Sequence, residues 1–182
     1  ERPLESDLMV FQGALVDRAR NYLVDQMLHH PLNPTHIFFL DADIVPAPDT
    51  LMRLLRHRMP IVSGMYRRRL PPYEPMALSA KGGRRGRTLH PITAKGPRLR
   101  RVDVVGAGCL LIHRDVFEKV RPPWFTSEWR RDGHLSEDFS FCEKAQKAGY
   151  RVMVDTTVNP LHLEPMGVGT GRDGKVSFIP LD

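Results

Sequence analysis

The chain has 182 residues, of which 41% are hydrophobic and 26% are charged, as in a globular protein of one domain with a real core. Its 27 basic and 21 acidic residues give a formal net charge of +6 and a pI near 9.7, so we expect anionic partners such as nucleotides, phosphorylated sugars, nucleic acid or a membrane surface. We see no apolar run of about 20 residues, no signal peptide and only two cysteines, which excludes membrane-spanning and disulfide-rich secreted classes and predicts a cytoplasmic protein.

Helices and strands are predicted to alternate in the first third of the chain. Helical spacing of apolar residues predicts a helix over residues 8–28, and the apolar run 37–40 predicts a buried strand. A proline at the first turn favours a second helix over 49–58, and 61–64 is a second predicted strand. This order predicts an α/β fold with a mostly parallel sheet.

Residues 66–101 are rich in proline, glycine and arginine and are predicted to form a basic loop or hairpin insertion, with a short strand at 76–79. After it we predict strands at 102–105, 109–112 and 151–154, and helices at 113–120 and 137–147. The tail 160–182 is expected to be irregular. No internal repeat is visible, so residues 1–182 are treated as a single domain.

Two acids, Asp41 and Asp43, directly follow the predicted strand 37–40. Open α/β sheets bind ligands at this end of a strand, and paired carboxylates there can hold a hard cation such as Mg²⁺ or Mn²⁺. Two neighbouring buried carboxylates are costly unless a cation offsets them. The alternative is an ordinary turn in which Asp43 or Asp49 caps the next helix.

A second acidic pair, Glu137 and Asp138, begins the predicted helix 137–147. Acids at this position complement the helix dipole, which is one sufficient explanation for them. The functional alternative is that Asp138 acts as a general base and takes a proton from an acceptor hydroxyl.

Three further residues could belong to the same site. His162 has apolar neighbours and is either structural or, if the fold brings it to Asp43, a metal ligand. Arg20 and Asn21 lie on the first predicted helix, either on its solvated face or within reach of a phosphate or a base. Arginine suits bidentate phosphate contacts.

The order of these motifs resembles that of the GT-A glycosyltransferases, near the family-2-like group. The motifs are the Asp-x-Asp strand end, Ile-Val-Ser-Gly-Met-Tyr at 61–66, Gly-Ala-Gly-Cys-Leu-Leu-Ile at 106–112, Ser-Glu-Asp-Phe-Ser-Phe-Cys at 136–142 and the late histidine. The resemblance spans residues 16–162 and implies a GT-A-like, Rossmann-like fold, with a mixed, mostly parallel sheet flanked by helices. Family members usually begin with a nucleotide-binding strand, and the short polar start of this chain implies that this strand is lacking.

The resemblance further implies transfer of a sugar from a UDP- or GDP-sugar donor to an acceptor hydroxyl, with a Mn²⁺ or Mg²⁺ cofactor. Asp41 and Asp43 would bind the cation and the donor, with Asp43 as the direct ligand, and His162 would complete the metal site.

The same resemblance assigns the catalytic and remaining donor-binding roles. Asp138 would be the catalytic base, with Glu137 beside it in the Glu-Asp element. The other donor-binding residues would lie near the nucleotide and the sugar; they are Arg20, Asn21, Gly106, Ala107 and Gly108.

Two other functions remain open. Nucleotidyl transfer also uses aspartate pairs on α/β sheets, although the chain lacks a Walker-type phosphate loop. A non-catalytic nucleic-acid-binding module would use the basic segment, and a solvated loop would explain the same charges. The charges are Lys81, Arg84, Arg85, Arg87, Lys95, Arg98, Arg100 and Arg101. A glycosyltransferase with an anionic acceptor would combine the two ideas.

Overall fold

The computed structural model describes residues 4–12, 15–81, 88–93, 95–130, 133–164, 166–170 and 176–180. The helices in this part are α1 (Val16–Leu28), α2 (Thr50–Arg56), α3 (Arg114–Lys119) and α4 (Glu137–Lys147). The strands are β1 (His36–Leu40), β2 (Ile44–Val45), β3 (Ile61–Gly64), β4 (Ala77–Lys81), β5 (Thr88–Pro91), β6 (Leu99–Val102), β7 (Val104–Val105), β8 (Cys109–His113), β9 (Glu128–Arg130), β10 (Gly133–Leu135), β11 (Val152–Asp155), β12 (Leu161–His162), β13 (Met166–Thr170) and β14 (Val176–Pro180). Within the described ranges, no helix has the length and apolar character that a bilayer crossing requires.

Five strands form the central sheet in the order β1-β8-β3-β11-β6. β8 lies between β1 and β3 and runs antiparallel to both. β11 pairs parallel with β3 and antiparallel with β6. One of the four neighbouring strand pairs in this sheet is therefore parallel.

This topology corrects the fold class predicted from the sequence. The expected GT-A-like, mostly parallel, Rossmann-like sheet flanked by helices is wrong: the described strands form several mostly antiparallel sheets, and the fold is mixed α/β with strands predominating. β1 and β3 point the same way, as helix-connected strands should. The described part of 65–108 then returns through strands rather than a crossover helix, so β8 enters between them in the opposite direction.

The central strands bury side chains on both faces, because successive residues of a strand point to opposite sides. In β8, Leu110 and Ile112 enter a core that contains Phe141 of α4. Leu111 enters a second core that contains Leu54 of α2. This two-sided burial explains the unbroken apolar run of β8.

Smaller sheets surround the central one. In the basic segment 66–101, β4 pairs with β5 and with β7, while β6 joins the central sheet; residues 82–87 lie outside the described ranges. The tail, which was expected to be irregular, contains β12, paired with β2, and the hairpin of β13 and β14.

The first helix begins at Val16 rather than at the predicted residue 8. Leu8 and Val10 are 84% and 72% exposed, so the apolar spacing that predicted a longer helix has no core to face. Tertiary packing provides most of a helix's stability, and α1 forms where its inner residues are buried.

Candidate active site

Arg20 is the centre of a buried charged cluster. The inward face of α1 carries Arg20, Val24 and Met27, so helical periodicity places the guanidinium in the core beneath the end of β1. Its Nη2 donates to both carboxylate oxygens of Asp41, at 3.0 and 3.1 Å, and its Nη1 donates to Oε1 of Glu137. One arginine thus links the strand end to the start of α4.

The electrostatics of this cluster favour an additional positive charge. Burial alone would lower the pKa of Arg20, but the charges of Asp41, Glu137 and Asp138 raise it above its usual value. Burial and the Asp138 charge raise the pKa of Glu137, against the lowering effect of Arg20. With all three carboxylates ionised, one guanidinium leaves the cluster two charges negative.

The second carboxylate of the motif, Asp43, faces His162. β12 pairs with β2 so that His162 lies opposite Ile44, and the amide of Leu163 donates to the carbonyl of Asp43 at 2.7 Å. This register places Nε2 of His162 3.3 Å from Oδ2 of Asp43. The structure therefore brings together the predicted Asp43 and His162, which lie 119 positions apart in the chain.

The hydrogen bond made by Nδ1 of His162 determines whether Nε2 of the same ring is a donor or an acceptor. Nδ1 lies 2.7 Å from the carbonyl oxygen of Arg67, and since a carbonyl can only accept, Nδ1 carries the proton. In the neutral ring Nε2 then presents a lone pair toward the Asp43 carboxylate. Two acceptors facing each other need a cation or a second proton between them, and a ring oriented through its distal N–H is typical of a metal-binding histidine.

Arg69, which the sequence analysis did not single out, contacts the same carboxylate. Its Nη1 lies 3.2 Å from Oδ2 of Asp43, and about half of its side chain is exposed. The two aspartates therefore have different partners: Asp41 is held by a buried arginine, and Asp43 by an exposed one.

Glycines allow Tyr66 to pack beside Gly106, Gly108 and His162. A Cβ at Gly106 would lie 2.1 Å from the Tyr66 hydroxyl, and one at Gly108 would lie 3.1 Å from Oδ2 of Asp41. The amide of Gly108 donates to the Tyr66 hydroxyl at 3.1 Å, and the Tyr66 ring meets the His162 ring edge-on at 5.6 Å. The glycines predicted to line the donor thus make room for a tyrosine.

Tyr66 is a buried member of the site that sequence reasoning missed. Burial raises the pKa of its hydroxyl far above the usual value, and the nearby charges of Asp138 and Asp41 add to this. It therefore remains a neutral phenol. The available signal was the Gly-Ala-Gly stretch, which marks a close approach without saying whether the neighbour is a ligand or a side chain.

Asp138 has one oxygen committed and one open. Oδ1 accepts hydrogen bonds from the Ser136 hydroxyl and, at 2.8 Å, from the amide of Phe139, as expected of an acid in the first helical turn. No fully buried side-chain nitrogen or oxygen of the described residues lacks a hydrogen-bond partner. Oδ2 of Asp138 has no hydrogen bond to these residues, and the residue as a whole is 8% exposed.

Asn21 is occupied within the protein. Its amide nitrogen donates to the carbonyls of Asp17 and Phe125, and its oxygen accepts from the amides of Trp124 and Phe125. These four bonds use its full capacity and fix the aromatic loop to α1. Its predicted contact with a nucleotide stays a prediction.

The fit of a cation to these residues is incomplete but chemically reasonable. Within the described ranges, no three His, Cys, Asp or Glu side chains converge as a ready metal site. Asp43 and His162 supply one oxygen and one nitrogen donor, while both oxygens of Asp41 face Arg20. The remaining positions would fall to water or to donor phosphate oxygens, as is usual for Mg²⁺.

A separate cleft of 490 Å³ is lined by residues of α4 and of strands β4, β5, β7, β9 and β10. Its polar lining includes Asp103, Arg130, Glu143 and Lys147, and Leu135 is among its apolar lining residues. None of the aspartates or histidines of the candidate site lines it. The cleft is thus distinct from the charged cluster.

Two of the predicted basic residues are used internally. Arg98 donates to Asp155 at 3.0 Å, and Arg100 donates to the carbonyls of Thr93 and Lys95. Arg84, Arg85 and Arg87 lie outside the described ranges.

Comparison with known proteins identifies a structural relative. No family model and no curated protein matches the chain. The fold is similar to the crystal structure of A197 from STIV, with a TM-score of 0.59 and 18% sequence identity over 96% of this chain and 81% of that chain. At this identity the similarity concerns the fold alone, and the comparisons assign no family.

Proposed function

We propose that the protein is a cation-dependent glycosyltransferase, related to the family-2-like enzymes, that moves a sugar from a nucleotide-sugar donor to an acceptor hydroxyl. The observation that carries this proposal is the orientation of His162, whose Nε2 faces Oδ2 of Asp43 at 3.3 Å while its Nδ1 donates to a backbone carbonyl. An aspartate and a histidine oriented in this way are suited to a cation.

The charge of the neighbouring cluster supports the same proposal. With Asp41, Glu137 and Asp138 ionised, Arg20 neutralises one of their three negative charges, and a divalent cation nearby would offset the other two. When bound, Mn²⁺ or Mg²⁺ supplies positive charge to the diphosphate that leaves. Asp43 and His162 would hold it, and Arg20 keeps Asp41 and Glu137 in fixed positions.

Asp138 is the proposed base. Its open Oδ2 takes the proton of the acceptor hydroxyl as that oxygen forms a bond to the anomeric carbon of the donor. The bond between the anomeric carbon and the diphosphate oxygen breaks, and the nucleoside diphosphate leaves with the electron pair. Ser136 and the amide of Phe139 hold Oδ1, so the carboxylate stays oriented through the reaction.

We also infer a UDP- or GDP-sugar as the donor and a cytoplasmic location. The net charge of +6 suits an anionic donor, and two buried free thiols, Cys109 and Cys142, suit a reducing compartment.

The test is donor turnover with a panel of UDP- and GDP-sugars, with and without Mn²⁺. Sugar transfer or donor hydrolysis that requires Mn²⁺ and is lost in Asp43→Ala is the expected result. Asp49→Ala is the matched control, because Asp49 is exposed and makes no side-chain cap on α2. Activity that survives a chelator, or equal loss in both variants, would contradict the proposal.

The same assay separates the alternatives. Release of pyrophosphate from a nucleoside triphosphate and a sugar phosphate would instead identify a nucleotidyltransferase. Binding of nucleic acid that weakens steeply with salt, without any donor turnover, would favour the binding module.

A further inference from the structure

Arg69 and His162 converge on one atom, Oδ2 of Asp43, at 3.2 and 3.3 Å. The arginine lies in the same short run as Arg67, whose carbonyl orients His162. The guanidinium is therefore placed against the oxygen that the proposed function gives to the cation.

The contact between Arg69 and Asp43 is weakly held. The side chains are 47% and 37% exposed, and water competes for ion pairs of this kind. By contrast, the Arg20 side chain is 6% exposed and bonds two carboxylates. Arg69 can leave its partner at small cost, whereas Arg20 cannot.

A dication and a guanidinium repel each other when both lie within bonding distance of one carboxylate oxygen. Binding of the cation to Asp43 must then displace Arg69. A guanidinium released at this position remains beside the site, and a diphosphate that arrives with the cation is a strong bidentate partner for it.

We propose that Arg69 is an exchangeable counter-ion of the Asp43 site: it neutralises Asp43 while the site is empty and moves to the diphosphate of the donor when the cation binds. This inference rests on the proposed function, since it uses the same cation site. It adds a donor-binding residue and makes the binding of cation and nucleotide mutually dependent.

The exchange has an unusual signature, because loss of one side chain should change two affinities in opposite directions. In Arg69→Ala, Mn²⁺ alone should bind about two- to fivefold more tightly, since its competitor is gone. UDP or GDP in the presence of Mn²⁺ should bind about tenfold more weakly, since a charged partner of the diphosphate is gone. A merely structural role would weaken both.

The experiment measures Mn²⁺ binding by electron paramagnetic resonance, then UDP and GDP binding at saturating Mn²⁺ by calorimetry, on the full chain. Arg68→Ala is the matched control, because the structure gives Arg68 a backbone bond to Glu74 and, within the described ranges, no acidic partner. Arg69→Lys keeps the positive charge but loses the two parallel N–H donors of the guanidinium. Its Mn²⁺ affinity should therefore equal that of the wild type, and its nucleotide affinity should lie between those of the wild type and Arg69→Ala.

Each outcome decides the question. One outcome is that the wild type binds Mn²⁺, Asp43→Ala does not, and Arg69→Ala binds it no more tightly than the wild type. That outcome would overturn the exchange and leave the proposed function standing. If Mn²⁺ binds to Arg69→Ala but not to the wild type, Arg69 occupies the Asp43 site permanently, and the exchange is overturned. No Mn²⁺ binding in either protein would overturn the proposed function, and the exchange with it. Nucleotide affinity equal in Arg69→Ala and wild type would also overturn the exchange.

Discussion

The two aspartates of one motif lie in opposite surroundings. Asp41 faces a buried guanidinium that also bonds the buried Glu137, whereas Asp43 faces an imidazole and the exposed Arg69; the two aspartate side chains are themselves similarly exposed, at 41% and 37%. The first arrangement fixes a framework, because the buried charges of Arg20 and Glu137 would be costly to leave unpaired. The second can change partners at low cost. The two positions, separated by Ala42, thus differ in how firmly their partners are held.

The largest expected effect on stability comes from breaking the pairing of Arg20 with Asp41 and Glu137. Arg20→Met leaves the buried Glu137 and the partly exposed Asp41 without their partner, so we expect the free energy of unfolding to fall by about 3–5 kcal/mol. Urea denaturation measures the change. Arg18→Met, on the exposed side of the same helix, should change it by less than about 0.5 kcal/mol. Similar values for the two variants would mean that the buried pairings contribute little.

Asp138 lies in the first turn of α4 and is also the proposed catalytic base, and a substitution can separate these two roles. Asp138→Asn keeps the shape of the side chain but cannot take the proton, so turnover should fall by about 10²- to 10⁴-fold. Mn²⁺ affinity and thermal stability should stay close to those of the wild type. A protein that unfolds instead would show that the bonds of Asp138 within the first turn of α4 are its main role.

A substitution at Gly106 tests how tightly Tyr66 packs against this glycine. In Gly106→Ala the new Cβ would meet the hydroxyl of Tyr66, which is 6% exposed and cannot swing away. We expect a loss of about 1–3 kcal/mol in unfolding free energy, since overpacked cores must shift. The loss should be smaller when Tyr66→Phe is present, because that change removes the clashing oxygen. An unchanged stability would indicate that the site is looser than described.

A pH titration adds a third region, around Asp155, for comparison. Burial would raise the pKa of Asp155, but hydrogen bonds from Thr157, His57 and Arg98 outweigh it and hold that pKa far below its usual range. A carboxyl group whose pKa is lower in the folded than in the unfolded protein stabilises the fold. This contribution is complete above the unfolded pKa of about 3.9 and is lost as the pH falls from there toward the folded pKa.

The measurement is urea unfolding between pH 7 and pH 3. The gap in stability between the wild type and Asp155→Asn should be about 1–3 kcal/mol at pH 7, typical of bonds to a buried charge, and should narrow in acid. Asp49→Asn serves as the exposed control. A gap that stays constant with pH would show that Asp155 is not the titrating group.

Local patterns in the sequence predicted the elements that hold the site. The apolar run before Asp41, the strand at 61–64 and the helix that begins at Glu137 all lie where composition and turn residues placed them. Each depends on neighbours close in the chain, which is what a pattern can report.

The rest depends on pairing between distant segments. The direction of β8, and with it the antiparallel character of the sheet, follows from contacts between strands whose partners the chain order does not specify. The same applies to Arg20: its position on a helix was visible, but the buried carboxylates that it joins were not. Asn21 shows the converse, since a residue suited to a ligand is used to fix a loop.

The short pairing of β12 with β2 has a consequence for biosynthesis. It joins the chain near residue 162 to the chain near residue 44, and Arg20 must likewise wait for Glu137. A nascent polypeptide therefore cannot assemble this site until the chain through residue 162 has left the ribosome. Contacts of such long sequence separation also slow folding, so the site is expected to form late.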